Sequence, residues 1–353
     1  MCSLTKINIY YYIIFICLFI NIDFYPRSIH RPIDPLTPKL ITHWKNKKKT
    51  YQLVDSNLKV TPLLHTFDKD HFIKNMIPDG EISYRHDSYK KISGQKLGKL
   101  AQNLLVEIKD GKTKFTDFIP LKMRDYSYKD QSGLLIFKYK SYPFVLKLFI
   151  ETPQSFVRPY DKGFEPMCFF ILGGTMRHLT GFTRIKNANM IKEKIAKHPI
   201  WSKRVDVPRK WFWKPTNNKF FDVTTYNVGS SKKNHTSFPS VYGVISDAIT
   251  PVENFTLFNK EHRKNAIELV RYLEFHLDPH LKNFMIEKES GKILIIDTEF
   301  FPLLVGLQKK MDVKSYPEWY FELMKKFLSN RFMQSKKYKR QQQLLNFPSE
   351  YHF

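Results

Sequence analysis

The chain has 353 residues, 42% of them apolar and 15% aromatic, which is enough to bury a sizeable core and excludes a disordered polymer. Its 58 Lys and Arg against 33 Asp and Glu give a formal charge of +25, a balance that favours anionic partners such as a nucleotide, an anionic membrane or an acidic protein. The cysteines Cys2, Cys17 and Cys168 form neither a CxxC nor a metal-ligand spacing, which excludes a disulfide framework and a zinc finger.

From the N-terminus, Ile7 to Ile20 (INIYYYIIFICLFI) is strongly apolar and short for a spanning helix. Residues 1–22 therefore read as an export signal or an uncleaved membrane anchor, and the protein as secreted or membrane-anchored. Residues 23–92 are polar and Pro-punctuated with little periodicity, and read as an irregular extension. The basic charge is spread along the chain, densest at Lys45 to Lys49 and Lys336 to Arg340, as on a solvated surface. With no RNP motif or basic recognition region, no specific nucleic-acid binding is expected.

Leu97, Leu100, Ala101, Leu104, Leu105 and Ile108 recur at helical spacing, and Gly111 is a stop signal. Asp117 to Ile150 is strand territory, with Gly133 to Tyr139 and Phe144 to Ile150 as two strands. In the second of these, Lys147 is a lone charge among apolar neighbours, so it needs a partner or an exit to water. It is either a site lysine or an edge-strand lysine facing solvent. Asn187 to His198 is helix-like, with Met190, Ile191 and Ile195 on one face and Glu193 beside them. Trp211 to Trp213 and Phe220 to Tyr226 supply further strands, and Phe238 to Ile249 is an apolar strand containing Tyr242 and Val244. Lys260 to Phe275 is an amphipathic helix feeding His276, and a last helix runs from Pro317 to Phe332.

The stretch between these helices, HLDPHLKNFMIEKESGKILIIDTE (His276 to Glu299), carries the chemistry. It holds Asp278-x4-Asn283, a hairpin turning at Ser290-Gly291, and an apolar strand ending in Ile296-Asp297-x-Glu299. An aspartate that orients a hydroxyl, followed by an asparagine and an aspartate brought together by a hairpin, is the order a metal-dependent phosphoryl-transfer site needs. His276-x-Asp278-x4-Asn283 with Ile296-Asp297-x-Glu299 resembles the catalytic and metal loops of the protein-kinase-like superfamily, nearest its aminoglycoside- and choline-kinase type branch.

The resemblance implies an α+β, two-lobed protein-kinase-like fold: a small antiparallel-sheet lobe with an insertion over 93–240, an abbreviated, mainly helical lobe over 241–335, and a basic tail over 336–353. It implies ATP and Mg²⁺ as cofactors and a hydroxyl-bearing acceptor. Asp278 would handle the hydroxyl proton, and His276 would brace the loop. Asn283, Asp297 and Glu299 would hold metal, and Lys147 would contact the phosphates and pair with Glu193. Tyr242 and Val244 would lie at an adenine-binding hinge. The chain departs from the pattern at Leu277, where many kinases carry Arg, and lacks a Gly after Asp297. No GxGxxG precedes the Gly133 strand, and Gly173-Gly174 falls on the far side of Lys147. These departures keep a second reading open, a kinase-like binding module without catalysis. A third is a metallohydrolase built on His276-x-Asp278-x-His280, although Pro279 interrupts that alternation.

Overall fold

The computed structural model describes residues 39–45, 48–54, 67–129, 131–151, 176–218, 220–226, 233–274, 276–300, 314–319 and 321. Within them the protein is mixed α+β, and its sheets are mainly antiparallel. The apolar segment Ile7 to Ile20, Cys168, Gly173-Gly174, the basic tail and most of the Pro317 to Phe332 helix lie outside the described residues. No helix among the described residues is long and apolar enough to cross a membrane.

The expectation of irregular chain over residues 23–92 is corrected. Strands β1 (Lys39–Lys45) and β2 (Lys48–Val54) form a hairpin. The short helix α1 (Lys69–Lys74) follows, N-capped by Asp68, whose carboxylate accepts from the His71 amide at 3.0 Å. A second hairpin joins β3 (Glu81–Tyr84) and β4 (Asp87–Ser93). A six-residue helix is too short to display a period, and β4 exposes most of its side chains, so neither shows as an apolar pattern.

Helix α2 (Gly94–Lys109) forms as its sequence dictates. The Ser93 hydroxyl accepts from the Lys96 amide at 3.1 Å, the apolar stripe is buried, and Gly111 ends the helix at φ +72°, a conformation costly for other residues. The stripe packs on a sheet of five strands: β5 (Phe118–Ser127), β6 (Ser132–Tyr139), β7 (Phe144–Ile150), β9 (Lys210–Trp213) and β12 (Val241–Asp247). Their order is β5-β6-β7-β12-β9.

Strand alternation divides the sheet into two faces. Leu135, Phe137, Leu146 and Leu148 meet α2 on one. Leu134, Phe149, Phe212, Tyr242 and Val244 join a second core on the other, and Lys147 and Lys210 share their parity. That second core takes in α3 (Met176–Gly181) and α4 (Thr183–Ala196). Gly181 must be glycine for space: a Cβ there would lie 2.1 Å from the Tyr242 hydroxyl and 2.9 Å from the Phe149 ring. Tyr242 stacks between Phe149 and Phe182, with ring centroids 4.7 and 4.2 Å away.

Helix α5 (Trp201–Arg204) runs into β8 (Val205–Asp206), which joins a small sheet of order β13-β14-β15-β8. Its other strands are β13 (Pro251–Asn254), β14 (Phe284–Glu287) and β15 (Ile293–Ile295). A further sheet orders β1-β2-β10-β11, with β10 (Phe220–Tyr226) and β11 (Lys233–Pro239). Helix α6 (Lys260–Tyr272), N-capped by Asn259, delivers the chain to His276.

Candidate functional site

The His276–Glu299 stretch folds as a loop and a hairpin. The His276 amide donates to the Leu273 carbonyl at 3.1 Å, and its ring is buried edge-on to Phe300. Two residues on, the Asp278 carboxylate accepts from the His280 amide at 3.0 Å, and its carbonyl accepts from the Asn283 side-chain amide at 3.1 Å. This closed turn passes through a 3₁₀ segment, Leu281–Asn283, into β14. Because Phe284 pairs with Ile295, the Ile296 amide reaches the Asn283 carbonyl at 3.0 Å, and Asp297 emerges beside the Asp278 loop.

Asp297 gathers the rest of the site. The Lys147 ammonium, from the middle of β7, donates to its Oδ2 at 3.0 Å. Arg184, from the first turn of α4, donates through Nη1 to Asp297 Oδ1 and through Nη2 to Glu299 Oε2 at 2.7 Å. Glu299 also accepts from the Thr180 hydroxyl, and Lys210 donates to the Thr298 hydroxyl at 2.9 Å. Asn187 ties the assembly together: its amide donates to the carbonyls of His276 at 2.8 Å and Thr298 at 3.1 Å.

Burial sets the charges. It pushes Lys147 down to about 8, opposed by Asp297 and reinforced by Arg184, and it lowers Lys210 well below the ordinary lysine value, with Lys147 adding repulsion. Burial also acts against ionisation of Asp297, but Arg184, Lys147 and Lys210 outweigh it and hold that carboxyl well below its usual range. Asp278 differs. Burial raises it to about 7, with Asp297 and Glu299 adding repulsion and the His280 amide opposing. One carboxyl is thus fixed as the anion and the other is poised to exchange a proton near neutrality.

Two expectations are corrected. Glu193 is exposed, and Lys147 pairs with Asp297 instead. Glu193 lies two and a half turns along α4 from Arg184, on the opposite side, and Arg184 is the residue that points inward. Tyr242 and Val244 are not at a hinge. Gly243 to Ser246 is paired with β9 on one side, and all of β12 is paired with β7 on the other, so these residues lie in a central strand. Tyr242 and Val244 are core residues, the Tyr242 hydroxyl donates to the His178 carbonyl at 2.5 Å, and Val244 stands across from Lys147.

Lys147, Asp278, Asn283, Asp297, Glu299 and His276 do converge, while Arg184, Lys210 and Asn187 join them from outside the expected set. Arg184 had one legible signal, an arginine one turn ahead of the periodic stretch that starts at Asn187.

The arrangement does not fit Mg²⁺. Arg184 occupies both Asp297 and Glu299, and Lys147 takes the other Asp297 oxygen. Among the described residues, the only His, Asp or Glu trio with ligand atoms within 4.8 Å of one another is His86, Glu287 and Glu289. Glu287 there is already bound to Arg85 at 3.0 Å. The trio His276, Asp278 and His280 is not such a group, and His280 Nδ1 instead accepts from the Lys282 amide at 3.2 Å. No protein-family model matches the chain, and no curated protein matches it in sequence.

Proposed function

We propose that the protein is an ATP-dependent phosphotransferase of the kinase-like type, acting on a hydroxyl-bearing acceptor. The observation that carries this reading is the meeting of Lys147 with Asp297, 150 residues apart in sequence, beside the bonded pair Asp278 and Asn283. A lysine in a central strand, an asparagine-bearing loop and an aspartate at a hairpin's end are three of the parts the resemblance names, and here they lie together. The net charge of +25 suits an anionic substrate.

In this mechanism Lys147 binds the phosphates and Asp278 accepts a hydrogen bond from the acceptor hydroxyl. As the acceptor oxygen bonds to the γ-phosphorus, the bond from that phosphorus to the β,γ-bridging oxygen breaks. The electron pair leaves with ADP, and the hydroxyl proton passes to Asp278. A carboxyl raised to about 7 is matched to that exchange. Lys147 and Arg184 keep Asp297 anionic and fixed, so it does not compete for the proton.

The test is ATP turnover and ATP affinity of the full chain, in buffer containing MgCl₂. Asp278→Asn should lower ADP formation by about a hundredfold or more while leaving affinity nearly unchanged. Lys147→Ala should weaken affinity. Failure of the unaltered chain to bind ATP would sink the proposal. A second reading, nucleotide binding without turnover, is favoured by the Arg184 bonds to both carboxylates. It is the outcome if ATP binds and no ADP is formed.

A further inference from the structure

We propose that the guanidinium of Arg184 holds the place of a divalent cation in this site, so that the chain binds the polyphosphate of a nucleotide without metal. The inference rests on the nucleotide reading above and adds what neutralises the phosphates.

Asp297 and Glu299 leave the end of β15 two residues apart, the positions that the resemblance assigns to metal. A single planar fork spans them, Nη1 to one and Nη2 to the other. A permanently charged guanidinium is suited to such two-carboxylate bridging, as an ammonium is not. Arg184 is built in rather than folded over. It is 1% exposed, its guanidinium carbon lies 5.6 Å from the Phe149 ring centroid, and its carbonyl accepts from the Thr298 hydroxyl at 2.7 Å. Withdrawing it would leave the buried Glu299 without its cation and Asp297 with Lys147 alone, a costly change.

Mg²⁺ demands a near-octahedral oxygen shell and gives up its waters reluctantly. Placing it on oxygens already held by a fixed guanidinium would set cation against cation where screening is weak. The local balance points the same way. Arg184 and Lys147 already match the two carboxylates of Asp297 and Glu299, so the site does not call for a further cation.

Calorimetric titration of the full chain with ATP, in excess EDTA and separately in MgCl₂, tests this. Affinity should agree within about threefold between the two buffers. Arg184→Gln, which frees both carboxylates for a metal, should make ATP binding Mg-dependent by about tenfold or more. If the unaltered chain binds ATP only with Mg²⁺, or if Arg184→Gln binds equally well in both buffers, the inference is overturned and the nucleotide reading stands. If the unaltered chain binds ATP in neither buffer, both fall. Should Arg184→Gln fail to fold, the EDTA–Mg comparison on the unaltered chain decides alone.

Discussion

The two faces of the five-stranded sheet follow different physical rules. The α2 face is closed by Leu97, Ala101, Leu104 and Ile108 over Leu135, Phe137, Leu146 and Leu148, and shape and transfer free energy account for it. The opposite face starts from comparable material, Phe149, Tyr242, Val244 and Phe212, but threads Lys147 through it to the Asp297 carboxylate and Lys210 to the Thr298 hydroxyl. Burying those ions costs several kcal/mol each unless every one is paired, so that face is held by geometry as much as by area. The lesson is that a stable face tolerates substitution by size, whereas the charged face tolerates it only by charge balance.

The largest effect that would test the contrast is on the charged face. Arg184→Gln leaves Asp297 and Glu299 without their shared cation and should cost about 3–5 kcal/mol near neutral pH. Asp297 ionises far below its usual range in the folded chain, so its stabilisation is present above the unfolded carboxyl value near 4 and is lost as pH falls further. The penalty of Arg184→Gln should therefore shrink on acidification. Urea unfolding at neutral and acid pH measures both, and a pH-independent penalty would mean that Arg184 acts by packing alone.

On the apolar face, Leu104→Ala removes a fully buried side chain and should cost about 2–5 kcal/mol through lost transfer energy and a cavity. This loss should be flat between pH 5 and 8, since no titratable group is involved, and ATP affinity should not change. A pH-dependent loss, or a change in ATP affinity, would show that the two faces are coupled.

Much of the apolar face is legible in the sequence because its signals are local. A 3.6-residue period, Ser93 before it and Gly111 after it define α2, and strands β6 and β7 follow from apolar runs around a turn. The hairpin of the site is legible for the same reason, with Phe284–Glu287 and Ile293–Ile295 close to the expected strands. The charged pairings are not local. Lys147 meets Asp297 and Arg184 meets Glu299 across more than a hundred residues, and no period marks which ion turns inward. The resemblance assigns Glu193 to Lys147, yet the helix starts a turn earlier than its apolar residues suggest, and that turn carries Arg184 inward. Tyr242 and Val244 mislead for a related reason: an apolar run looks alike at an exposed hinge and in a central strand, and only the pairing with β9 distinguishes them.

The contrast sharpens most finely at Asp278, where function and stability pull apart. Its carboxyl is raised by burial to about 7 in the folded chain, against an ordinary value of 3.8. Between those values the folded state holds a proton that the unfolded state has released, so this group makes the protein less stable as pH rises from about 4 to about 7. Asp278→Asn keeps an oxygen to accept from the His280 amide and carries no charge to bury. It should therefore stabilise the fold by about 1–3 kcal/mol above pH 7, a range reduced for the solvent access the carboxyl retains, and the gain should vanish near pH 4. Thermal unfolding across that range reads the sign directly. A variant that is less stable than the parent at pH 8 would show that Asp278 is ionised and well solvated in the fold, and would remove it as the proton acceptor.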